Sequence, residues 1–190
     1  MILNRQKSQL LVVDIQTRLL PVMAQQDLAQ QELLMANVAR LCQAARLLQI
    51  PITISEQYPK GIGATVPAVI EACGSDAVIL PKMTFSCLRD ETLAQRIDEL
   101  GKVHLRKQII VCGIEAHVCV LQTALDLRSA GFDVAVIGDA ISSRTPDSKS
   151  SAIERMRSHD VDVATTEMAV FEWLERAGTA HFKTLSQLIK

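Results

Sequence analysis

The sequence predicts a three-layer α/β/α fold in which one six-stranded, mostly parallel sheet lies between two layers of helices. Short runs rich in β-branched residues alternate with longer segments whose apolar residues recur at three- and four-residue steps. The 190 residues and 48% hydrophobic content suffice for one core, so we expect a single domain over residues 1–190. Only 3% of the residues are aromatic, which favours helices packed on a sheet over an aromatic-rich binding face.

The first half of the chain supplies three strands and two helices. The first strand reads from Gln9 to Asp14, and its continuous apolar run LLVV is typical of a strand buried on both faces. An apolar stripe then indicates an amphipathic helix, with members Leu34, Val38, Leu41, Ala45 and Leu48. The second strand, ITIS, follows Pro51, and the third, AVIL, precedes Pro81. The next helix runs from Asp90 to Leu100.

The second half continues the alternation with three more strands. The predicted elements are strand IIVC, helix Val118 to Ala130, strand VAVIG, helix Ser148 to His159, strand VDVAT and helix Met168 to Ala177. Gly131 stands where a left-handed residue would end a helix. Ser148 is a residue type that caps the start of a helix, so we expect it to cap the helix that it precedes.

Charge and composition exclude several classes of partner. The net charge is −1 and the basic residues are dispersed, so we expect no nucleic-acid partner. We expect no membrane partner either, since no apolar run approaches the roughly 20 residues that span a bilayer, and no secretory signal is visible. Five cysteines without a CxxC pair argue against a disulfide framework and for a reduced, cytoplasmic protein, in which most cysteines are small core residues.

Polar residues at the ends of the predicted strands are the candidate site residues, because open α/β sheets bind ligands at the carboxyl ends of their strands. These residues are Asp14, Ser55, Glu56, Gln57, Lys82, His117, Cys119 and Asp139. A small-molecule substrate is the partner that such a site would accept.

An acid, a base and a nucleophile stand among them. A thiol at a helix start and near an ammonium is stabilised as thiolate, so we expect Cys119 to titrate below the roughly 8.5 of a free thiol. Asp14 could take the thiol proton and later return it, while Lys82 keeps both groups oriented and charged. Taken singly, Asp14 is also typical of a turn residue, Lys82 of a solvated lysine and Cys119 of a core residue.

Three longer motifs give a family resemblance. LLVVDIQ contains Asp14, LPKMTFSC contains Lys82, and IIVCGIEAHVCVLQTALDLRSAGFDVAVIGDAISSR contains Cys119. With these motifs the chain resembles the isochorismatase-like cysteine hydrolases, a superfamily with a Rossmann-like fold that includes nicotinamidases and carbamoylsarcosine amidases. The resemblance implies that Asp14 is the general base and acid, Lys82 the electrostatic partner and Cys119 the nucleophile.

The resemblance also implies a cis peptide bond between Ile114 and Glu115. This bond would aim backbone amides near Glu115 and Cys119 at a developing oxyanion. Relatives of this kind generally form homo-oligomers. An apolar C-terminal segment could supply the subunit face, with members Phe171, Trp173, Leu174 and Phe182.

The substrate-binding residues expected beside this triad are Gln16, Gln57, Tyr58, Phe85 and His117. In the metal-free branch of the superfamily, Gln57 and Tyr58 would face the pocket, although Tyr58 beside Pro59 is equally typical of a surface turn. Phe85 and Cys87 would form an apolar wall or pack in the core. His117 would contact substrate or support the mouth of the pocket.

The chain departs from its metal-binding relatives after the second strand. Nicotinamidases carry an Asp-x-His pattern there, whereas no histidine lies between Ser55 and Gly74. We therefore predict no metal and no other cofactor. A thiol nucleophile has no use in the vinyl-ether chemistry of true isochorismatases. The sequence thus predicts a metal-independent cysteine hydrolase of a small amide or related carbonyl compound, acting through a thioester. The alternatives are a non-catalytic scaffold or binding protein, or an isochorismatase- or nicotinamidase-type hydrolase.

Overall fold

The computed structural model describes residues 1–23 and 28–189. Six parallel strands form one sheet, in the order β3-β2-β1-β4-β5-β6. The strands are β1 Ser8–Val13, β2 Ile52–Gln57, β3 Val78–Lys82, β4 Gln108–Ile114, β5 Asp133–Ser142 and β6 Asp162–Ala164. The predicted fold is confirmed, with a sheet that is parallel throughout rather than mostly parallel.

Helices cover both faces of this sheet. They are α1 Leu28–Leu47, α2 Pro59–Ile62, α3 Pro67–Cys73, α4 Glu91–Lys102, α5 Leu121–Ser129, α6 Pro146–Arg157, α7 Thr166–Leu174 and α8 Phe182–Ile189. Alternate residues of β1 enter two cores. Leu10 and Val12 pack with α1, α3, α7 and α8, whereas Leu11 and Val13 pack with α4, α5 and α6.

The strand order reverses between β1 and β4, which places a ligand crevice at their carboxyl ends. Gly113 makes the close approach of these two strands possible. It pairs with Val13, has a φ of +120°, and would carry a Cβ only 2.1 Å from the Val13 carbonyl oxygen. A side chain at this position is therefore excluded by the backbone of β1.

The helix boundaries differ from the predictions in a few places. Gly131 has a φ of 84°, as expected for the residue that ends a helix. The expectation that Ser148 is a cap was wrong: α6 begins at Pro146, and the Thr145 hydroxyl accepts a hydrogen bond from the Ser148 amide at 3.2 Å. Proline suits the first position of a helix, so the capping residue is the one before it. Helices α2, α3 and α8 were not predicted.

The proposed subunit face on the C-terminal segment was wrong for two of its members. Trp173 and Leu174 are buried in the core, and the Trp173 indole N–H donates to Ser8 Oγ at 3.0 Å. Phe182 packs half-buried against the same core, and Phe171 is exposed. Within the described part of the chain, no helix is both long enough and apolar enough to cross a membrane.

Candidate active site

A buried ion pair forms the centre of the candidate site. Lys82 Nζ donates to Asp14 Oδ2 at 2.7 Å, and both side chains are fully buried. Lys82 is the last residue of β3, and Asp14 directly follows β1 in a left-handed conformation with a φ of 52°. Aspartate tolerates this conformation better than most residues. Because all strands are parallel, their ends meet at one edge of the sheet.

The Lys82 ammonium is held by four acceptors. Besides Asp14, it donates to Gln57 Oε1 at 2.6 Å and to the carbonyl oxygens of Thr84 and Phe85 at 3.2 and 3.1 Å. Burial, the largest single effect, lowers the pKa of Lys82, but Asp14, Cys87 and Cys119 together outweigh it, so the pKa lies above its ordinary value. Lys82 is therefore a fixed cation over the whole physiological pH range.

Cys119 completes the cluster. It lies in a π-helical turn, Ala116–Val120, that connects β4 to α5, and it is 5% exposed. The Asp14 carboxylate and the Lys82 ammonium both influence the pKa of its thiol, so the thiol lies within electrostatic reach of the buried pair. The structure thus brings the three residues of the predicted triad together.

The expected activation of the Cys119 thiol in the free protein was wrong in direction. Burial, followed by the negative charge of Asp14, raises the pKa of Cys119 far above its ordinary value, and Lys82 opposes this only in part. The charge of Lys82 is already paired with Asp14, which leaves little of it for a thiolate. Cys119 also lies late in a short turn rather than at the start of α5. The raised pKa therefore favours the thiol form of Cys119 over the thiolate at neutral pH.

Two residues beside the triad were not among the predicted catalytic residues. Ser55 Oγ donates to Asp14 Oδ1 at 2.6 Å, so both oxygens of that carboxylate are held. The Cys87 backbone amide donates to Thr123 Oγ1 at 2.9 Å, and burial raises the pKa of the Cys87 thiol to about 11. The position of Ser55 at the end of β2 was a signal that could have indicated its role. Nothing in the spacing of Cys87 indicates one.

Gln16 and Gln57 have their side-chain amides engaged within the protein. Gln16 Nε2 donates to the backbone carbonyl oxygens of Gln57 and Gly63 at 2.9 and 2.5 Å. Gln16 Oε1 accepts from the backbone amide of Gln57 at 2.8 Å. Gln57 binds Lys82 through Oε1 and donates to the Met83 carbonyl oxygen at 3.0 Å through Nε2. These contacts position the end of β2 and the lysine.

The other predicted substrate-binding residues lie around the ends of the same strands. Tyr58 follows β2 and is 46% exposed, and Phe85 follows Lys82 and is 54% exposed. His117 is half-buried, with Nδ1 3.0 Å from Ser143 Oγ at the end of β5. Their contact with substrate stays a prediction.

The turn before Cys119 begins with the expected cis peptide bond between Ile114 and Glu115. The Glu115 carbonyl oxygen accepts from the amides of Val118 and Val120 at 3.1 and 3.2 Å. The Glu115 carboxylate accepts from Arg144 Nε at 2.7 Å, and this ion pair ties the turn to the segment that follows β5.

Metal-ligating residues do not cluster in residues 1–23 and 28–189, where no three His, Cys, Asp or Glu side chains are arranged to hold an ion. The donors at the site are one carboxylate and two separate thiols beside a lysine ammonium. This set favours acid–base and nucleophilic chemistry by the side chains themselves.

Comparison with known proteins assigns the family. The model of the isochorismatase domain matches residues 8–168, which run from β1 into α7 and include the whole cluster. The chain belongs to the isochorismatase family. The family and the related proteins make it a hydrolase of this type.

Several relatives of this isochorismatase-family protein match over most of its length. The secreted isochorismatase effector Isc1 of Phytophthora sojae is 39% identical over 149 residues, covering 77% of this chain and 70% of the effector. Isochorismatase domain-containing protein 2 of Danio rerio is 33% identical over 187 residues, covering 98% and 89% of the two chains.

Solved structures share the fold of this isochorismatase-family protein. The MAR1 ribonuclease of Caenorhabditis elegans superposes with a TM-score of 0.89 at 31% identity, covering 100% of this chain and 92% of that one. The YcaC protein of Escherichia coli, described as an octameric hydrolase of unknown specificity, gives a TM-score of 0.86 at 23% identity, covering 99% and 90%.

Proposed function

We propose that this protein is a metal-independent cysteine hydrolase that acts on a small amide or a related carbonyl compound. The observation that carries the proposal is the buried Asp14–Lys82 ion pair with the buried Cys119 thiol within its electrostatic reach. It lies where the strand order reverses, which is where open α/β sheets bind small ligands.

In the first half of the reaction, the Cys119 sulfur attacks the carbonyl carbon while Asp14 takes the thiol proton. The negative charge moves to the carbonyl oxygen, where backbone amides of the Glu115 to Cys119 turn stabilise it. Collapse of this intermediate breaks the C–N bond. The protonated Asp14 gives its proton to the leaving amine, and the acyl group stays on sulfur as a thioester.

In the second half, water replaces the amine. The water oxygen attacks the thioester carbon while Asp14 accepts a proton from the water. Asp14 then returns that proton to the departing sulfur. The acid leaves and the Cys119 thiol is restored. The net change is an amide plus water giving an acid plus an amine.

The protonated resting thiol supports a general-base role for Asp14. Since burial and the Asp14 charge keep the Cys119 proton in place, the proton leaves only when a carbonyl carbon is present to take the sulfur electrons. Lys82 and Ser55 each hold one oxygen of Asp14, so the carboxylate has a fixed orientation for accepting the Cys119 proton. Lys82 serves as a fixed positive charge beside Asp14 throughout the reaction.

We also propose a homo-oligomeric, cytoplasmic protein. The octameric state described for the YcaC protein of Escherichia coli supports the first part, because the two chains share nearly their full length. Five cysteines without a disulfide support a reducing compartment. Secretion is described for one relative, the Isc1 effector, and is a property of that protein.

An activity screen tests the proposed function. The wild type, Cys119→Ala and the buried-cysteine control Cys42→Ala are assayed on small amides, nicotinamide, isochorismate and an RNA, each with and without a chelator. We expect one small amide to be hydrolysed by the wild type and by Cys42→Ala, with or without chelator, and not by Cys119→Ala. Full activity of Cys119→Ala, loss of activity with chelator, or turnover of isochorismate or RNA alone would contradict the proposal.

A further inference from the structure

A cavity lies at the amino ends of the strands, opposite the carboxyl ends that carry the triad. Its volume is about 360 Å³, and it is lined by Arg5, Gln6, Leu47, Leu48, Gln49, Arg106 and His181. Arg106 precedes β4, whereas Cys119 follows it. The seven residues of β4 therefore separate Arg106 from the Cys119 turn by about 20 Å. We call this space the basic cavity.

The basic cavity carries an uncompensated positive charge. Two arginines and a histidine line it, and no carboxylate does. The ion pairs found within residues 1–23 and 28–189 do not include Arg5, Arg106 or His181. Partly buried cations in proteins are usually paired, so this arrangement favours an anion from outside the chain.

Arg106, which lines this cavity, is held in a fixed orientation. Its Nη1 donates to the carbonyl oxygens of Arg5 and Ser8 at 2.8 and 2.7 Å, and its Nη2 donates to the Gln49 carbonyl oxygen at 3.4 Å. Burial lowers the pKa of Arg106, because the charge has lost hydration. A guanidinium has five N–H donors, so these three contacts leave two for a ligand.

We propose that the basic cavity binds a small organic oxyanion. Its phosphate or carboxylate group contacts the guanidinium groups of Arg5 and Arg106, with His181 as a further donor. A fixed guanidinium fork matches the geometry of such a group. Leu47 and Leu48 supply an apolar wall for the organic part of the ligand. The volume suits a molecule of metabolite size rather than a bare ion.

Calorimetric titration with phenyl phosphate and with benzoate tests this proposal. The double variant Arg5→Gln/His181→Asn removes two of the donors, while Arg106 stays because it also holds three backbone carbonyls. The control is Arg89→Gln, an exposed arginine paired with Asp126. We expect saturable binding to the wild type and to the control, weakened by salt, and at least about tenfold weaker in the double variant. Binding of phenyl phosphate alone assigns a phosphate, and binding of benzoate alone assigns a carboxylate.

Amide chemical shifts of the wild-type protein give a readout that does not depend on any variant. We expect the saturable shifts to map to Arg5, Gln6, Gln49 and His181 and to leave the Cys119 turn unchanged. Three results would overturn the proposal: no saturable binding of either probe, shifts confined to the triad, or equal affinity in the folded double variant and the wild type.

Discussion

Lys82 Nζ lies 2.7 Å from Asp14 Oδ2, and neither side chain is exposed to solvent. Burying two charges is costly, and their attraction offsets that cost only while both are present. The same pair fixes the base of the proposed reaction, because the Lys82 ammonium holds one oxygen of the Asp14 carboxylate in place. Stability and activity therefore depend on one contact, and they can be separated by substitution.

Lys82→Met tests this contact, because methionine keeps much of the length and removes the charge. We expect the free energy of unfolding to fall by about 3–5 kcal/mol and hydrolysis to be lost, since Asp14 is left buried and unpaired. Adding Asp14→Asn removes the remaining charge, so much of the stability returns while activity does not. Urea unfolding measures both effects. Lys102→Met, which breaks an exposed pair with Asp98, is the control and changes stability by about 0.5 kcal/mol or less. An unchanged stability of Lys82→Met would show that the pair is not needed.

Asp14→Asn tests whether the carboxylate acts as a base or as a thiolate stabiliser. After burial, the charge of Asp14 is the main cause that raises the pKa of Cys119, and Lys82 lowers it. Removing the carboxylate leaves Lys82 as the nearby charge, so the pKa of Cys119 falls and the thiolate fraction at pH 8 rises. We expect alkylation of Cys119 by iodoacetamide to become about tenfold faster, while turnover falls by at least about 100-fold.

Peptide mapping of the alkylated protein follows Cys119 alone among the five cysteines. Asp98→Asn, on the exposed surface of α4, is the control and leaves both rates unchanged. Slower alkylation in Asp14→Asn would contradict the assignment, since it would mean that the carboxylate stabilises the thiolate.

Gly113→Ala tests the close approach of β1 and β4 beside the site. A Cβ at Gly113 would lie 2.1 Å from the Val13 carbonyl oxygen, and the φ of +120° is unfavourable for alanine. We expect a loss of at least about 1–3 kcal/mol in unfolding free energy, with activity lost through displacement of Asp14. Gly131→Ala is the comparison, since its Cβ would contact nothing within 4 Å although its φ is also positive. Equal losses in the two variants would attribute the effect to φ alone.

Alkaline pH tests the buried thiols. Burial raises the pKa of Cys112 well above its ordinary value and that of Cys87 to about 11. Above about pH 8.5 the unfolded chain loses these protons while the native protein keeps them, so stability falls as pH rises. Each such thiol contributes a slope of up to about 1.4 kcal/mol per pH unit. Urea unfolding between pH 8 and 10.5 should show a shallower fall for Cys112→Ala than for the wild type. Parallel slopes would contradict the burial of this thiol.

Much of the fold could be predicted from the sequence because the strands of this sheet are continuous apolar runs. Residues 8–13 and 108–114 are buried throughout, and the apolar runs LLVV and IIVC within them predict two buried strands. Helix α8 was missed although its apolar residues are regularly spaced, since only Leu185 is fully buried and the segment is short. Pro81 was taken as the residue after the third strand, yet it lies inside β3, where an edge strand tolerates proline.

The candidate site could be predicted in its members but not in its electrostatics. Asp14, Lys82 and Cys119 stand at strand ends, and parallel strands place those ends together. The pKa of Cys119 depends on whether the Lys82 ammonium pairs with Asp14 or lies closer to the thiol. The sequence does not give the distances between these groups. Ser55 shares the edge with Asp14, but its hydrogen bond follows from a side-chain direction that only the structure gives.

The attack of sulfur on a carbonyl carbon is tested most directly by rapid quenching of the wild-type protein during turnover of its amide, or of the corresponding activated ester. Mass spectrometry then follows the peptide that contains Cys119. The proposed mechanism predicts that this peptide gains the mass of the acyl group and loses it again as substrate is consumed. Steady turnover with no acyl adduct on Cys119, retained in full by Cys119→Ala, would contradict the mechanism.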